Sequence, residues 1–167
     1  MPGQSGEPET SCDSGRRPRK GRAPFQVLVL PFFVQAGTPQ YAIFRRADAG
    51  YWQFVAGGGE NDEQPVQAAV RECLEEAGTA TAQFFPLQST ASLSVVDVTG
   101  DLRWGPGVLA IPEYSFGVEV AQTDLRISRE HTEYRWTDYE TARAMLRWES
   151  NRNALLELKQ RIAMGGE

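Results

Sequence analysis

Residues 57–79 read GGGENDEQPVQAAVRECLEEAGT, and this stretch determines which fold the sequence predicts. Pro65 is a residue that the first turn of a helix accepts, and Gly78 is a residue that commonly follows a helix end. We therefore predict a helix from about Gln64 to Ala77. At about 100° per residue, five side chains of this helix would form one apolar stripe: Val66, Val70, Cys73, Leu74 and Ala77.

Three glutamates of the same helix, Glu72, Glu75 and Glu76, are predicted to lie together on the side opposite the apolar stripe. Helix residues three and four positions apart are neighbours, and clustered carboxylates repel one another unless a cation lies among them. A solvated acidic face is the ordinary meaning of a charge run, and it would by itself explain the adjacent pair of Glu75 and Glu76.

Two further features favour a cation site over a solvated face. The glycines from Gly57 to Gly59 come directly before the helix, where the missing side chains leave room for backbone to approach a metal or a phosphate. Arg71 is placed to hold a neighbouring carboxylate, such as that of Glu63 or Glu72, in a fixed orientation.

The available ligand types narrow the choice of metal. His131 is the only histidine, and Cys12 and Cys73 lie far apart in the sequence, so no cluster has the spacing of a zinc site. A metal bound here would be held mostly by oxygen atoms. Oxygen ligands favour magnesium, with manganese as the alternative.

The segment also resembles the Nudix box, which is a glycine, five residues, a glutamate, seven residues, and then Arg-Glu-aliphatic-any-Glu-Glu-any-Gly-aliphatic. The invariant places are occupied, with the required spacing, by Gly57, Glu63, Arg71, Glu72, Glu75, Glu76 and Gly78. The departures are mild. Cys73 and Thr79 stand where aliphatic residues are usual, and Asp62 replaces a frequent glycine of the loop.

This resemblance implies an α/β (α+β) fold, the Nudix αβα sandwich, in which helices flank a mixed sheet. It implies that Glu72, Glu75 and Glu76 bind magnesium with the help of a backbone carbonyl near Ala56 or Gly57. By the same carry-over, structural support is expected from three residues: Glu63, Arg71 and Gly78. Clustered carboxylates suit phosphoryl transfer, because divalent charge is needed on the phosphate oxygens and a water must be held in line with the bond that breaks.

A loop after the box supplies a further candidate carboxylate. The stretch from Ser128 to Trp136 resembles the loop that brings one more acid to the metals in many Nudix enzymes. Glu130 is the candidate as ligand or general base, with Glu133 in reserve, and we expect His131 to make a structural hydrogen bond. The residues predicted to be catalytic are therefore Glu72, Glu130 and Arg71.

Composition separates a tail from one domain. Residues 1–24 are rich in glycine, proline, serine and charge, and we predict a disordered basic tail followed by a single domain over residues 25–167. The tail holds five basic and three acidic residues, which leaves twelve basic and nineteen acidic ones, a net charge of −7, in the domain. Such an acidic domain is a poor nucleic-acid surface, so no specific nucleic-acid partner is expected. The basic cluster of the tail could still touch RNA or an acidic partner.

Hydropathy and periodicity predict the remaining elements. No apolar stretch approaches the roughly 20 residues of a membrane span and no signal-peptide pattern opens the chain, so we expect a cytoplasmic protein with no membrane contact. The predicted strands are 26–34, 41–46, 51–55, about 84–98, about 108–120 and about 133–136. Two helices are predicted at the end, one introduced by the capping-box spacing at 137–140 and running to about 146, the other over about 151–163. A homodimer is left open.

The rest of the chain indicates a substrate. Over most of residues 24–162 it resembles the bacterial dihydroneopterin triphosphate pyrophosphohydrolases, in the stretches 51–53, 105–108, 130–136 and 148–152. The resemblance implies a small-molecule phosphoanhydride substrate from which pyrophosphate is released. The candidate phosphate clamps are Arg45, Arg46 and Arg103, and the candidate stacking residues are Trp52, Trp104, Tyr114 and Phe116.

Each of these substrate contacts has an ordinary structural alternative, as an exposed arginine or as a core aromatic residue. The enzyme alternatives are Nudix hydrolases of dinucleoside polyphosphates, (d)NTPs or nucleotide sugars. An alternative of another class is a Nudix-fold module that senses a nucleotide without cutting it. The complete set of glutamates argues against the sensor, because a module without a metal has no physical reason to crowd carboxylates.

Overall fold

A computed structural model of the chain describes residues 21–79 and 83–165. Most of the predicted tail therefore lies outside the described residues, although its last residues from Arg22 onward belong to the first strand. The strands are β1 Arg22–Gln35, β2 Thr38–Arg46, β3 Trp52–Gln53, β4 Val55–Glu60, β5 Phe84–Ser94, β6 Ala110–Glu119 and β7 His131–Thr137. The helices are α1 Pro65–Ala77, α2 Val95–Thr99, α3 Tyr139–Met145 and α4 Glu149–Ala163.

The strands form one mixed sheet, as predicted. Its main path has the order β3-β2-β1-β6-β5, while β4 pairs with β1 and β7 pairs with β2. The central pair of β1 and β6 is parallel, and the other pairs are antiparallel. Because β1 pairs with both β4 and β6, residues far apart in the sequence lie side by side at its amino-terminal half.

Two apolar clusters cover the two faces of the sheet and confirm the predicted sandwich. On one face, Val27 and Val29 of β1 pack with Ala68 and Cys73 of α1. On the other face, residues such as Leu28 of β1 pack with α3 and α4. The alternation along β1 follows from the strand geometry, because successive side chains point to opposite faces.

The helix α1 is confirmed, but the predicted apolar stripe is wrong. The side chains of Val66, Val70 and Leu74 are exposed. The buried face consists of small side chains and two glutamates: Ala68, Ala69, Glu72, Cys73, Glu76 and Ala77. Small residues let the helix lie close to the glycine-rich strand β4, and that close approach decides which face of the helix is covered.

Three boundaries also differ from the sequence prediction. The strand predicted to reach residue 98 ends at Ser94, and a short helix follows that stops at Gly100 in the left-handed conformation. The strand predicted over residues 51–55 is divided at Phe54 into β3 and β4, and β4 continues through the glycines to Glu60. In α3 the N-cap is Asp138, whose carboxylate accepts a hydrogen bond from the amide of Thr141.

Within residues 21–79 and 83–165, no helix is both long enough and apolar enough to cross a membrane.

Candidate active site

The glycines of β4 lie where side chains from two other elements need space. A Cβ atom on Gly57 would overlap the carboxylate of Glu72, which projects from α1. A Cβ on Gly58 would lie 2.6 Å from Nε of Arg22, and one on Gly59 would overlap the ring of Phe25. The glycines are therefore required for packing within the protein itself.

Arg71 holds the loop, the helix and β4 together. Its Nε donates to Glu63 Oε1 at 2.8 Å, and its Nη2 donates to the carbonyl oxygen of Gly58 at 2.8 Å. Its Nη1 donates to Glu72 Oε1 at 2.9 Å and to Glu75 Oε2 at 3.4 Å. The predicted bracing of Glu63 and Glu72 is thus confirmed, and Arg71 positions carboxylates through a planar set of donors that lysine does not offer.

Glu63 and Gly78 mark the two ends of the segment that carries the carboxylates. Glu63 Oε2 accepts a hydrogen bond from the amide of Glu60 at 2.9 Å, which fixes the loop before the helix. Gly78 has a φ of 65° and its amide donates to the carbonyl oxygen of Leu74, so it closes the helix in a left-handed conformation. A side chain at this position would also approach Cβ of Arg126 to 2.7 Å.

Glu72 is a buried carboxylate with incomplete compensation. Only 8% of the residue is exposed. Burial raises the pKa of Glu72 to about 7, the contact with Arg71 opposes this shift, and the negative charges of Glu75 and Glu76 add to it. The local charge balance therefore favours a positive group near Glu72.

Glu76 is buried too, but its partners come from the protein. Ser128 Oγ donates to Glu76 Oε2 at 2.8 Å, and His131 Nδ1 lies 3.0 Å from the same oxygen, without the alignment of a hydrogen bond. Burial acts to raise the pKa of Glu76, but the contacts with His131 and Ser128 outweigh it and lower the pKa. The sequence analysis expected a structural hydrogen bond from His131; in the structure its imidazole packs beside Phe44 and makes a close contact with Glu76.

In this structure each of the three carboxylates predicted to bind metal contacts a partner from the protein. Among residues 21–79 and 83–165, no three acidic, histidine or cysteine side chains are grouped closely enough to hold an ion. Glu75 is about half exposed and turns toward Arg71, while Glu76 turns toward Ser128 and His131. The guanidinium of Arg71 contacts both Glu72 and Glu75, so it supplies the positive charge at this point.

The loop before β7 brings Glu130 to the edge of the same region. Its carboxylate is largely exposed and Oε2 lies 3.4 Å from Nη1 of Arg46. Arg46 also forms a two-point contact with Asp48, at 3.1 and 2.9 Å, which lowers the pKa of Asp48 to about 2. Glu133, the reserve candidate, points elsewhere and pairs with Arg45 at 3.3 Å.

A cavity of about 860 Å³ opens beside these residues. This volume is in the range of pockets that hold small-molecule ligands. Its wall on the side of α1 includes Gly57, Gly58, Gly59, Glu72, Arg46 and Glu130. Its wall on the side of α4 includes Gln26, Gln53, Glu113, Ser150 and Asn151.

Among the seven residues predicted to contact substrate, Arg46 lines this cavity and the other six do not. Arg45 donates to the carbonyl oxygen of Gly50 and pairs with Glu133. Trp52 packs below the guanidinium of Arg135 at 5.0 Å.

Arg103 and Tyr114, two further candidates, lie near other residues of the protein. The charge of Arg103 lies near that of Arg22 and acts to lower the pKa of Arg22 after the larger effect of burial. Tyr114 lies against the α1 side of the sheet, with its ring 6.2 Å from that of Phe25. Neighbouring residues on β6 point to opposite faces, and it is Glu113 that faces the cavity.

Several residues that line the cavity were not predicted from the sequence. Arg22 was assigned to the tail, and Gln26 and Glu113 lie inside strands that were assigned to the core. A polar residue at an inward position of an otherwise apolar strand was the available signal for both. Ser150 and Asn151 belong to a stretch that supported the resemblance, but they had no assigned role.

Comparison with known proteins defines the class. A family model described as the NUDIX domain matches residues 32–158, and the chain therefore belongs to the Nudix family. It is a Nudix hydrolase, an enzyme that acts on phosphoanhydride bonds of a small-molecule phosphate substrate.

Particular relatives refine this position. The chain is 29% identical over 137 residues to the dihydroneopterin triphosphate diphosphatase of Escherichia coli, which covers 80% of this chain and 91% of that protein. A Nudix hydrolase structure from Listeria monocytogenes is 36% identical, with a TM-score of 0.78, and the match covers 86% of this chain and 97% of that chain. The E. coli dihydroneopterin triphosphate pyrophosphohydrolase structure is 26% identical, with a TM-score of 0.68, covering 82% and 95%.

Proposed function

We propose that this chain is a magnesium-dependent pyrophosphohydrolase that converts dihydroneopterin triphosphate and water to dihydroneopterin monophosphate and pyrophosphate. The observation that carries the proposal is the cavity that is lined by Glu72 and the glycines of the box and also by the polar residues beside α4. A triphosphate that carries a heterocycle at its far end matches this division between a phosphate-binding side and a polar side. The similarity to diphosphatases of the same name supports the choice of heterocycle.

The residues present fit a divalent metal by their chemistry. Glu72 is a buried carboxylate whose charge is raised in energy by burial and by Glu75 and Glu76. The Glu72 carboxylate lies close against the backbone of Gly57, where a Cβ atom would overlap it. Oxygen donors of this kind are the ligands that magnesium prefers, with manganese as the alternative.

The residues that would hold the metal are Glu72, Glu75, Glu76 and Glu130, with a carbonyl oxygen of Ala56 or Gly57. When bound, the metal supplies positive charge to phosphate oxygens that gain negative charge during phosphoryl transfer. Arg71 keeps Glu72 and Glu75 oriented, and His131 and Ser128 keep Glu76 oriented. Glu72 and Glu130 line the cavity and are the candidates for accepting a proton from the attacking water.

A substrate panel tests the proposal. Purified protein is incubated with magnesium and, separately, with dihydroneopterin triphosphate, the common (d)NTPs, dinucleoside polyphosphates and nucleotide sugars, and the products are separated by anion-exchange chromatography. We expect pyrophosphate and dihydroneopterin monophosphate in equal amounts, with the highest kcat/KM for the pterin substrate. Removal of magnesium with a chelator should abolish turnover, and added magnesium should restore it.

Two other results would overturn the proposal in different ways. Turnover of a nucleotide without turnover of the pterin triphosphate would assign the chain to another substrate class of the same family. Binding of a nucleotide without any phosphate product would favour the sensing module.

A further inference from the structure

Glu113 on β6 is a buried acid with an incomplete set of partners. The residue is 4% exposed and lines the cavity. Its Oε2 accepts a hydrogen bond from Nε2 of Gln26 at 3.1 Å, while its buried Oε1 accepts none from residues 21–79 or 83–165. A carboxylate that lies at a cavity wall with one oxygen unsatisfied is available to a ligand that brings hydrogen-bond donors.

The Glu113 carboxylate destabilises the protein when the cavity holds no hydrogen-bond donor for it. Burial without a partner destabilises a protein when the group is polar, and it does so more when the group is charged. Burial raises the pKa of Glu113, and the Gln26 amide and the Ser150 hydroxyl oppose this shift without satisfying Oε1. Retention of a glutamate at this position is explained if a ligand completes its hydrogen bonds.

The strand register fixes how far this acid lies from the box. Gln26 is paired with Gly58 on one side and with Glu113 on the other, so the three residues lie in a row across β4, β1 and β6. Two strand spacings of about 4.8 Å place Glu113 about 10 Å from Gly58 along this row. A ligand whose phosphates lie beside Gly58 and Glu72 can therefore place its other end at Glu113.

The partners of Glu113 among the described residues are the neutral polar side chains of Gln26 and Ser150. Gln26 Oε1 faces Nη2 of Arg22 at 3.4 Å, and Asn151 uses its Oδ1 to accept the amide of Phe54 at 2.8 Å. A ligand edge with two adjacent N–H donors matches a carboxylate, whose two oxygens accept parallel hydrogen bonds. The ring N–H and exocyclic amino group of a 2-amino-4-oxo heterocycle form such an edge.

We propose that Glu113, oriented by Gln26, is the residue that selects the heterocycle, by accepting hydrogen bonds from the ring N–H and the 2-amino group of a pterin or a guanine. This assignment rests on the proposed function for the position of the phosphates, but not for the identity of the triphosphate. It predicts discrimination against rings that lack the amino group, because a site built to accept a hydrogen bond is left unpaired by such rings.

The test compares wild-type protein with Glu113→Gln, which keeps the shape and replaces one acceptor oxygen with a donor group. The matched control is Glu119→Gln, an exposed glutamate on the same strand. The substrates are dihydroneopterin triphosphate and the pair GTP and ITP, which differ by the 2-amino group alone. Neopterin, which has no phosphate, is used as a binding probe through its fluorescence.

For Glu113→Gln we expect kcat/KM for dihydroneopterin triphosphate to fall roughly 100-fold, by analogy with the loss of a buried charged hydrogen bond. Neopterin binding should weaken at least tenfold, and the preference for GTP over ITP should fall toward one. Glu119→Gln should match the wild type in all three measurements. Equal losses for GTP and ITP together with unchanged neopterin binding would overturn the inference.

Stability separates a specificity role from a structural one. If Glu113 is retained for a ligand, Glu113→Gln should keep or raise the Tm of the ligand-free protein, whereas a structural role predicts a lower Tm and equal losses on every substrate. Glu113→Asp provides a second variant that keeps the acid but withdraws it by one methylene, and it should show an intermediate loss of neopterin binding. Unchanged binding in Glu113→Asp and a lowered Tm in Glu113→Gln would together exclude the ligand role.

Failure of the proposed function would be visible separately. If wild-type protein did not hydrolyse dihydroneopterin triphosphate, the substrate assignment would fall, and the GTP and ITP ratio with neopterin binding would still decide the role of Glu113. If the pterin substrate were hydrolysed and Glu113→Gln behaved like the wild type, the proposed function would stand and this inference would fall.

Discussion

Glu76 and Glu113 are buried to the same extent, each with 4% exposure, but on opposite sides of the sheet. Glu76 on the α1 side contacts Ser128 and His131, and these partners lower its pKa. Glu113 on the α4 side has one oxygen without a partner, and burial raises its pKa. The protein itself therefore supplies the partners that keep the Glu76 carboxylate charged, whereas the hydrogen bonds of Glu113 are completed only by a ligand.

The largest effect on turnover is expected when the negative charge of Glu76 is removed. Glu76→Gln should lower kcat by roughly 10³ at saturating substrate, because the charge that stabilises the transition state is weakened. The fold should persist, since a glutamine still accepts from Ser128. Steady-state kinetics and circular dichroism would measure both properties, with Glu140→Gln on the exposed side of α3 as the control. Near-normal turnover in Glu76→Gln would contradict the assignment of this side of the sheet.

A smaller effect is expected when the charge is kept but displaced. In Gly57→Ala the new Cβ overlaps the Glu72 carboxylate, so that side chain must move. A displacement of about 1 Å in a catalytic group costs roughly 10²-fold in rate, and we expect a loss of this size in kcat/KM.

Gly107→Ala is the matched control, because a Cβ there meets nothing within 4 Å. It should leave kcat/KM unchanged and raise the free energy of unfolding by at most about 1 kcal/mol, through the unfolded chain. Equal activities for the two alanine variants would mean that Glu72 does not need its place against β4.

The smallest effect, on thermal stability, is expected for Glu157, a carboxylate on the α4 side that accepts several hydrogen bonds. Glu157 accepts hydrogen bonds from the amides of Gln88 and Ser89 at 2.6 and 2.7 Å and from Nε of Arg161 at 2.9 Å. Burial acts to raise the pKa of Glu157, but these contacts outweigh it and lower the pKa below the ordinary 4.5. The number of partners, rather than the side of the sheet, therefore decides the direction of the shift.

The sign of the pH dependence follows from the lowered pKa. Glu157 stabilises the fold at pH values above its unfolded pKa of 4.5, and this contribution is lost as the pH falls through the lower folded pKa. The Tm difference between wild type and Glu157→Gln should therefore be largest near pH 7 and shrink on acidification. Thermal unfolding from pH 7 to pH 3, with Glu140→Gln as control, measures it. A difference that does not change with pH would show that the carboxylate charge of Glu157 contributes nothing.

The local parts of the site were predictable because they depend on residues close in sequence. The helix after Pro65, the left-handed end at Gly78 and the contacts of Arg71 with Glu63 and Glu72 are all set within one short segment. Which side of that helix is buried was not predictable from apolar residues, because Val66 and Leu74 face outward while two glutamates face the sheet.

The sequence by itself determined the box segment, the mixed sheet between helices and the Nudix class, since the spacing of charged and glycine residues within one helix and its loop carries that information. The hydrogen bond at the cavity wall between Gln26 and Glu113, which are 87 residues apart, could be found only in the folded chain. The physical reason is that β1 and β6 pair in parallel in the middle of the sheet although they are far apart in the sequence. No local sequence pattern encodes the register of two such strands.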